Sequence, residues 1–100
     1  MAKFGMVGKF LCDAENRDSL LAILADAANL MAAQDACTLY VVSKDADDDS
    51  SVWVMELWDS KEAHDQSLTL PGVRSLIEKA MPMITGTDGA SLLPVSGKGL

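Results

Sequence analysis

Hydrophobic and polar positions along this chain change period several times, and each change marks an element. From Phe4 to Cys12 the residues are mostly apolar with Gly5 and Gly8 inside the run, the pattern of a strand whose backbone something approaches closely. Asp13, Glu15 and Asn16 then suit a helix start, and Leu20, Leu21, Leu24, Ala28 and Met31 recur at helical spacing, predicting an amphipathic helix of about four turns. Thr38 to Lys44 and Val52 to Trp58 are rich in β-branched and aromatic residues and flank the polar stretch Asp45 to Ser51, so an antiparallel hairpin is expected.

The second strand of that hairpin sets Val52, Val54, Glu56 and Trp58 on one face and Trp53, Met55 and Leu57 on the other. Both faces are largely apolar, whereas an antiparallel strand with one solvated face alternates cleanly. A covering layer besides the helices is therefore expected, and in a chain this short a second copy of itself supplies it most economically. Trp53 is assigned to that dimer layer or to helix packing.

After Trp58, Asp59-x-x-Glu62 has the spacing of a capping box with Asp in place of Ser or Thr, which predicts a short helix from about Ser60 to Leu68. Pro71-Gly72 interrupts it. Val73, Leu76, Ile77, Ala80, Met81 and Ile84 then predict a second helical segment with Pro82 near its end. Gly86 to Gly89 reads as a turn, and Ala90 to Val95 as a last strand that Pro94 confines to an edge or terminal position, followed by a loose tail from Ser96 to Leu100. The order β-α-β-β-α(α)-β is the split βαβ pattern of a ferredoxin-like α+β domain, with helices on one face of an antiparallel sheet.

One hundred residues fit one domain, 1–100. Fifteen acidic against eight basic residues give a formal charge of −7 with no basic cluster, which disfavours nucleic acid as a partner. The N-terminus lacks an apolar secretory core and no stretch approaches the length of a membrane span, so a cytoplasmic protein with no membrane partner is expected. Cys12 and Cys37 are too few and too far apart for a disulfide framework and are read as small hydrophobes.

Candidate chemistry centres on His64, the only histidine, a few residues beyond the strand-end Trp58. It reads either as a hydrogen-bonding or proton-shuttling group in an apolar pocket, with Ser67 and Leu68 on its helix face, or as a surface histidine beside Lys61 and Asp65. Trp58 is a candidate stacking wall, because pockets open at strand ends. Six methionines, Met6, Met31, Met55, Met81 and Met83 among them, suit a core or an adaptable pocket for a flat apolar molecule. Asp45, Asp47, Asp49 and Glu56 reproduce the oxygen positions of a calcium loop, yet Ser50 stands where that loop needs glycine, and a solvated hairpin tip is the better account. No Gly-rich phosphate loop and no His/Cys cluster for a metal is present.

Glu56-x-Trp58-x-Ser60-x-Glu62-Ala63-His64, Ser67-Leu68-x-x-Pro71, Val73-Arg74-x-Leu76-Ile77 and Ala80-Met81-Pro82 together resemble the antibiotic biosynthesis monooxygenase superfamily, including its small quinol-oxidising members. The resemblance implies a ferredoxin-like homodimer, a dimeric α+β barrel with sheets face to face. It also implies oxygenation of quinols or polycyclic aromatics by molecular oxygen with no cofactor and no metal. Carried over, His64 takes the place of a polar pocket residue and becomes the catalytic candidate, as proton acceptor or orienting group. Trp58 matches a strand-end tryptophan, and with Val54, Ser67 and Leu68 makes the substrate-binding set. Val54 stands where polyketide-oxidising members have asparagine, and Gln66-Ser67 replaces the Ala-His pair of the quinol-oxidising branch. The haem-degrading branch needs an asparagine on the first strand, and Phe4 to Cys12 has none. The competing expectation is a non-catalytic small-molecule-binding or stress-associated homodimer on the same fold.

Overall fold

A computed structural model describes residues 3–100. Its elements are β1 (Phe4–Cys12), α1 (Arg17–Met31), β2 (Cys37–Lys44), β3 (Ser51–Trp58), α2 (Lys61–Ser67), α3 (Pro71–Ala80) and β4 (Ile84–Leu92). The four strands form one antiparallel sheet in the order β2-β3-β1-β4. This is the ferredoxin-like α+β fold, with the helices on one sheet face.

Strand parity decides what each face carries. Phe4, Met6, Gly8, Phe10 and Cys12 of β1 stand on the helix side with Val52, Val54, Glu56 and Trp58 of β3, as the pairings Phe4↔Trp58, Met6↔Glu56 and Gly8↔Val54 require. Two buried clusters fix the helices there. Phe4, Met31, Trp58 and Val73 close one end of the sheet, and Cys12, Leu20, Val52 and Ala80 close the other. On α1 the inward stripe is Leu20, Ala27 and Met31, so Ala27 rather than Ala28 is the small residue buried against the sheet.

Three element boundaries differ from expectation. Ser60, not Asp59, caps α2: it is extended, and its hydroxyl accepts from the Ala63 amide at 3.1 Å, while Asp59 pairs with Lys3 at 3.2 Å. Pro71 opens α3 at its first turn, where a missing N–H is harmless, so Pro71-Gly72 starts that helix; it stops at Ala80, and Met81–Met83 form a 3₁₀ turn before Ile84 enters β4.

The largest difference lies in β4, where Gly86 to Gly89 belong to the strand instead of a turn, and the strand ends at Leu92 ahead of Pro94. Gly89 pairs with Gly8 across β1 at φ +144°, and a Cβ there would lie 2.2 Å from the Val7 carbonyl oxygen. The glycines are a close-approach device within a strand, not a break in one.

Among the described residues, the other sheet face has little cover beyond Pro94, which lies near Gly5. Leu39, Val41, Met55, Leu11 and Leu92 lie partly exposed there or at its edge, and Trp53 is tied by its indole N–H to Asp45 at 2.7 Å with the Lys9 ammonium 5.5 Å from its ring centre. The acidic hairpin tip is organised by its own backbone: Asp45 accepts from the amides of Asp47 and Asp48, and Asp48 from Ser50 and Ser51. Glu56 points to the helix side and does not join those aspartates. Among the described residues no group of three or more His, Cys, Asp or Glu is arranged to hold a metal ion, and no helix is long and apolar enough to cross a membrane.

Gly89→Ala is predicted to cost at least about 2 kcal/mol, from positive φ plus the backbone clash, measured by denaturant unfolding. Gly97→Ala also sits at positive φ but its methyl meets nothing, and it should cost clearly less. Equal costs would refute the tight β1–β4 contact.

Candidate functional site

Between the two clusters the helices do not reach the sheet, and a cavity of about 300 Å³ remains. Small residues create the space: Gly8 in the floor, Ala27 on α1 and Ala80 on α3. The rest of the lining is apolar apart from Tyr40, Glu56, His64 and Ser67. Those four gather at one end, because Tyr40 and Met6 are the strand partners of Glu56 and α2 follows directly from the end of β3.

His64 is aimed inward by its place on α2. The Ser60 cap sets the helix start, and the imidazole packs against Phe4 with centroids 5.4 Å apart and meets the Trp58 ring edge-on at 5.9 Å. Its side chain is 10% exposed. Nδ1 lies 3.0 Å from Oδ1 of Asp65, and Nε2 lies 3.8 Å from Oε1 of Glu56. A carboxylate can only accept, so in the neutral ring the contact with Asp65 places the proton on Nδ1 and leaves the Nε2 lone pair on the side of Glu56, at the polar end of the cavity. Asp65 is kept ionised: hydrogen bonds from Lys61, at 2.7 Å, and from His64 hold its carboxyl below the usual carboxylate range.

Glu56 is the functional candidate that strand reading passed over. Its side chain is 14% exposed, and burial pushes its carboxyl up, an effect partly offset by the Trp58 indole N–H donated to Oε1 at 3.0 Å and by the nearby imidazole. The available signal was parity, a lone carboxylate on the same face as Val52, Val54 and Trp58. Tyr40 is a second polar lining group; burial and the Glu56 charge drive its phenol far above its ordinary range, so it stays a neutral hydroxyl. Asp65 reads from the sequence as a surface neighbour of the sole histidine, and its adjacency to that histidine is the signal for its contact with the ring.

The remaining expected site residues fall as follows. Val54 forms part of the cavity floor, Ser67 is buried in its wall and Leu68 stands partly exposed at its rim. The Ser67 hydroxyl donates to the His64 carbonyl at 2.6 Å, which leaves its oxygen as an acceptor. Trp58 is not among the lining residues: at 1% exposure it sits behind the wall in the Phe4 cluster, where its indole holds Glu56. The ring thus backs the wall and does not itself line the cavity in this structure.

The sequence model of the antibiotic biosynthesis monooxygenase family matches residues 4–79. The chain belongs to that family. A solved structure of a candidate antibiotic biosynthesis monooxygenase from Chloroflexus aurantiacus J-10-fl is 35% identical, with a TM-score of 0.86 over 95% of each chain. Another from Deinococcus radiodurans is 25% identical, with a TM-score of 0.83 over 94% of each chain. Rv0793 from Mycobacterium tuberculosis, 20% identical, shares the fold at a TM-score of 0.85, covering 96% of this chain and 98% of its own. No curated protein matches the chain.

The buried Glu56 carboxyl makes stability depend on pH with a definite sign. A carboxyl whose pKa is raised by folding holds its proton more tightly folded than unfolded, so it favours the fold at low pH and opposes it as pH climbs through the raised value. Glu56→Gln keeps an acceptor for the indole and removes the charge. The variant is predicted to melt a few degrees above wild type at about pH 8, the gap closing by about pH 4. A wild type as stable as the variant at the upper pH would contradict the assignment.

Proposed function

We propose that the protein is a cofactor-independent monooxygenase that oxidises a small quinol-like or polycyclic aromatic substrate with molecular oxygen. The observation that carries this reading is the imidazole at the wall of a largely apolar cavity, one nitrogen tied to an ionised carboxylate and the other beside the Glu56 carboxyl. Family membership supports it, with a candidate monooxygenase at 35% identity.

In this reading His64 Nε2 takes the phenolic proton, and Asp65 orients the ring and stabilises the imidazolium that forms. The apolar lining offers little solvation to the resulting anion, which favours passing its electrons to oxygen. One oxygen atom ends on a ring carbon and the other leaves as water, the imidazolium returning the proton. For a simple quinol the balance is quinol plus O₂ giving hydroxyquinone plus water. Val54 and Leu68 contact the ring, Ser67 forms part of the wall beside it, and Trp58 acts by holding Glu56. A cavity near 300 Å³ is at the small end of the range for ligand pockets, about 300–1,000 Å³, and fits one or two rings better than three.

The working unit is proposed to be a homodimer with the uncovered sheet faces packed together. Leu39, Val41 and Met55 form the kind of continuous apolar face that monomers seldom leave in water. The protein is expected to sediment at twice 10.6 kDa at micromolar concentration, and Met55→Lys to shift it toward monomer. A wild-type monomer would refute the pairing.

Oxygen uptake with a panel of quinols and hydroxynaphthalenes tests the chemistry. His64→Ala is predicted to lose about 10²- to 10⁴-fold in kcat/KM, and Asp65→Asn about 10- to 100-fold. Equal background rates for wild type and His64→Ala on every substrate would leave only a non-catalytic small-molecule-binding or stress-associated homodimer.

A further inference from the structure

Glu56 and His64 converge. Oε1 of one and Nε2 of the other are 3.8 Å apart at the same end of the cavity, both largely buried. A carboxylate has about four lone-pair sites, and the Trp58 indole takes one of them. The carboxyl therefore keeps acceptor capacity beside the bare imidazole nitrogen. Tyr40 and Ser67 lie at the same end, the Ser67 hydroxyl proton being committed to the His64 carbonyl, and the spacing of the two acceptors, Nε2 and Oε1, defines the hydroxyl pairs that they can serve together.

Hydroxyl oxygens on opposite corners of a benzene ring are on the order of 5–6 Å apart and those on neighbouring carbons about 2.8 Å, against a hydrogen-bond length of about 2.7 Å at each end. With Oε1 as the second acceptor, a 1,4-diol could satisfy both only if they lay over the ring at less than van der Waals distance. A 1,2-diol meets both with its ring pointing down the cavity toward Val54 and Phe10. A 1,4-diol or a single phenol leaves one buried acceptor unpaired, which costs affinity.

We propose that the cavity selects 1,2-dihydroxyaromatic compounds, one hydroxyl donating to His64 Nε2 and its neighbour to the Glu56 carboxyl. The inference rests on reading this cavity as the substrate site, and it makes Glu56 a specificity-determining residue. Oxidation is not needed to observe it.

The test is anaerobic titration calorimetry of the full chain with 1,2-dihydroxynaphthalene, 1,4-dihydroxynaphthalene and 1-naphthol. The 1,2-isomer is expected to bind at least about tenfold tighter than either of the others. Glu56→Met, close in size and apolar, should level the 1,2-isomer with 1-naphthol. If that variant does not fold, the order of affinities in wild type decides alone. Equal affinities, a preference for the 1,4-isomer, or no binding by any of the three would overturn the proposal. A 1,2-preference without oxygen uptake would leave the selectivity standing and defeat the monooxygenase reading. Oxygen uptake on the 1,4-isomer with no 1,2-preference would do the reverse.

Discussion

Everything at the candidate site depends on the helices being held to the sheet at its two ends and not in the middle. The Phe4, Met31, Trp58 and Val73 cluster anchors one end and the Cys12, Leu20, Val52 and Ala80 cluster the other. Gly8, Ala27 and Ala80 are too small to fill what lies between. A close-packed interior tolerates few such voids, and large side chains at those three positions would close this one. The gap is also why a carboxyl and an imidazole can share an apolar interior: they face a common space at the edge of a core cluster instead of being packed within it.

The same arrangement ties electrostatics to chemistry. Asp65 is half in water and stays ionised, Glu56 is largely out of it and resists ionisation, and His64 lies between them. Two carboxyl groups flanking one imidazole thus differ in character, one fixing the ring's proton and the other facing the cavity, and the difference arises from the burial of Glu56 and from the hydrogen bonds that Lys61 and His64 give Asp65. Trp58 belongs to this scheme as the support that holds Glu56 in place.

Much of the fold was legible because its signals are periodic. The α1 stripe, the hairpin and the two-sided apolar character of β3 follow from residue spacing, and the element order with its ferredoxin-like class follows from them. Gly86 to Gly89 misled because a glycine pair punctuates a turn and a close strand contact alike, and only the β1 backbone opposite Gly89 distinguishes the two. The cap moved from Asp59 to Ser60 because both are good caps one residue apart. At the site, His64, Ser67, Leu68 and Val54 reach the cavity, whereas Trp58 does not, since parity places it on the right face but not at the right depth. Glu56 was hidden by its resemblance to the last ligand of a calcium loop, and its meaning depends on how deeply β3 is buried, which spacing does not reveal.

The proposed site requires a neutral His64 to carry its proton on Nδ1 toward Asp65 and to keep the Nε2 lone pair free beside Glu56. Because the chain has a single histidine, long-range ¹H–¹⁵N correlation spectra of tag-free protein read its tautomer without ambiguity. The prediction is a protonated Nδ1 and a pyridine-like Nε2 under conditions where the imidazole is neutral, with the pattern weakened in Asp65→Asn. A neutral ring protonated at Nε2, its lone pair turned to Asp65, would contradict the proposed base and the site built around it.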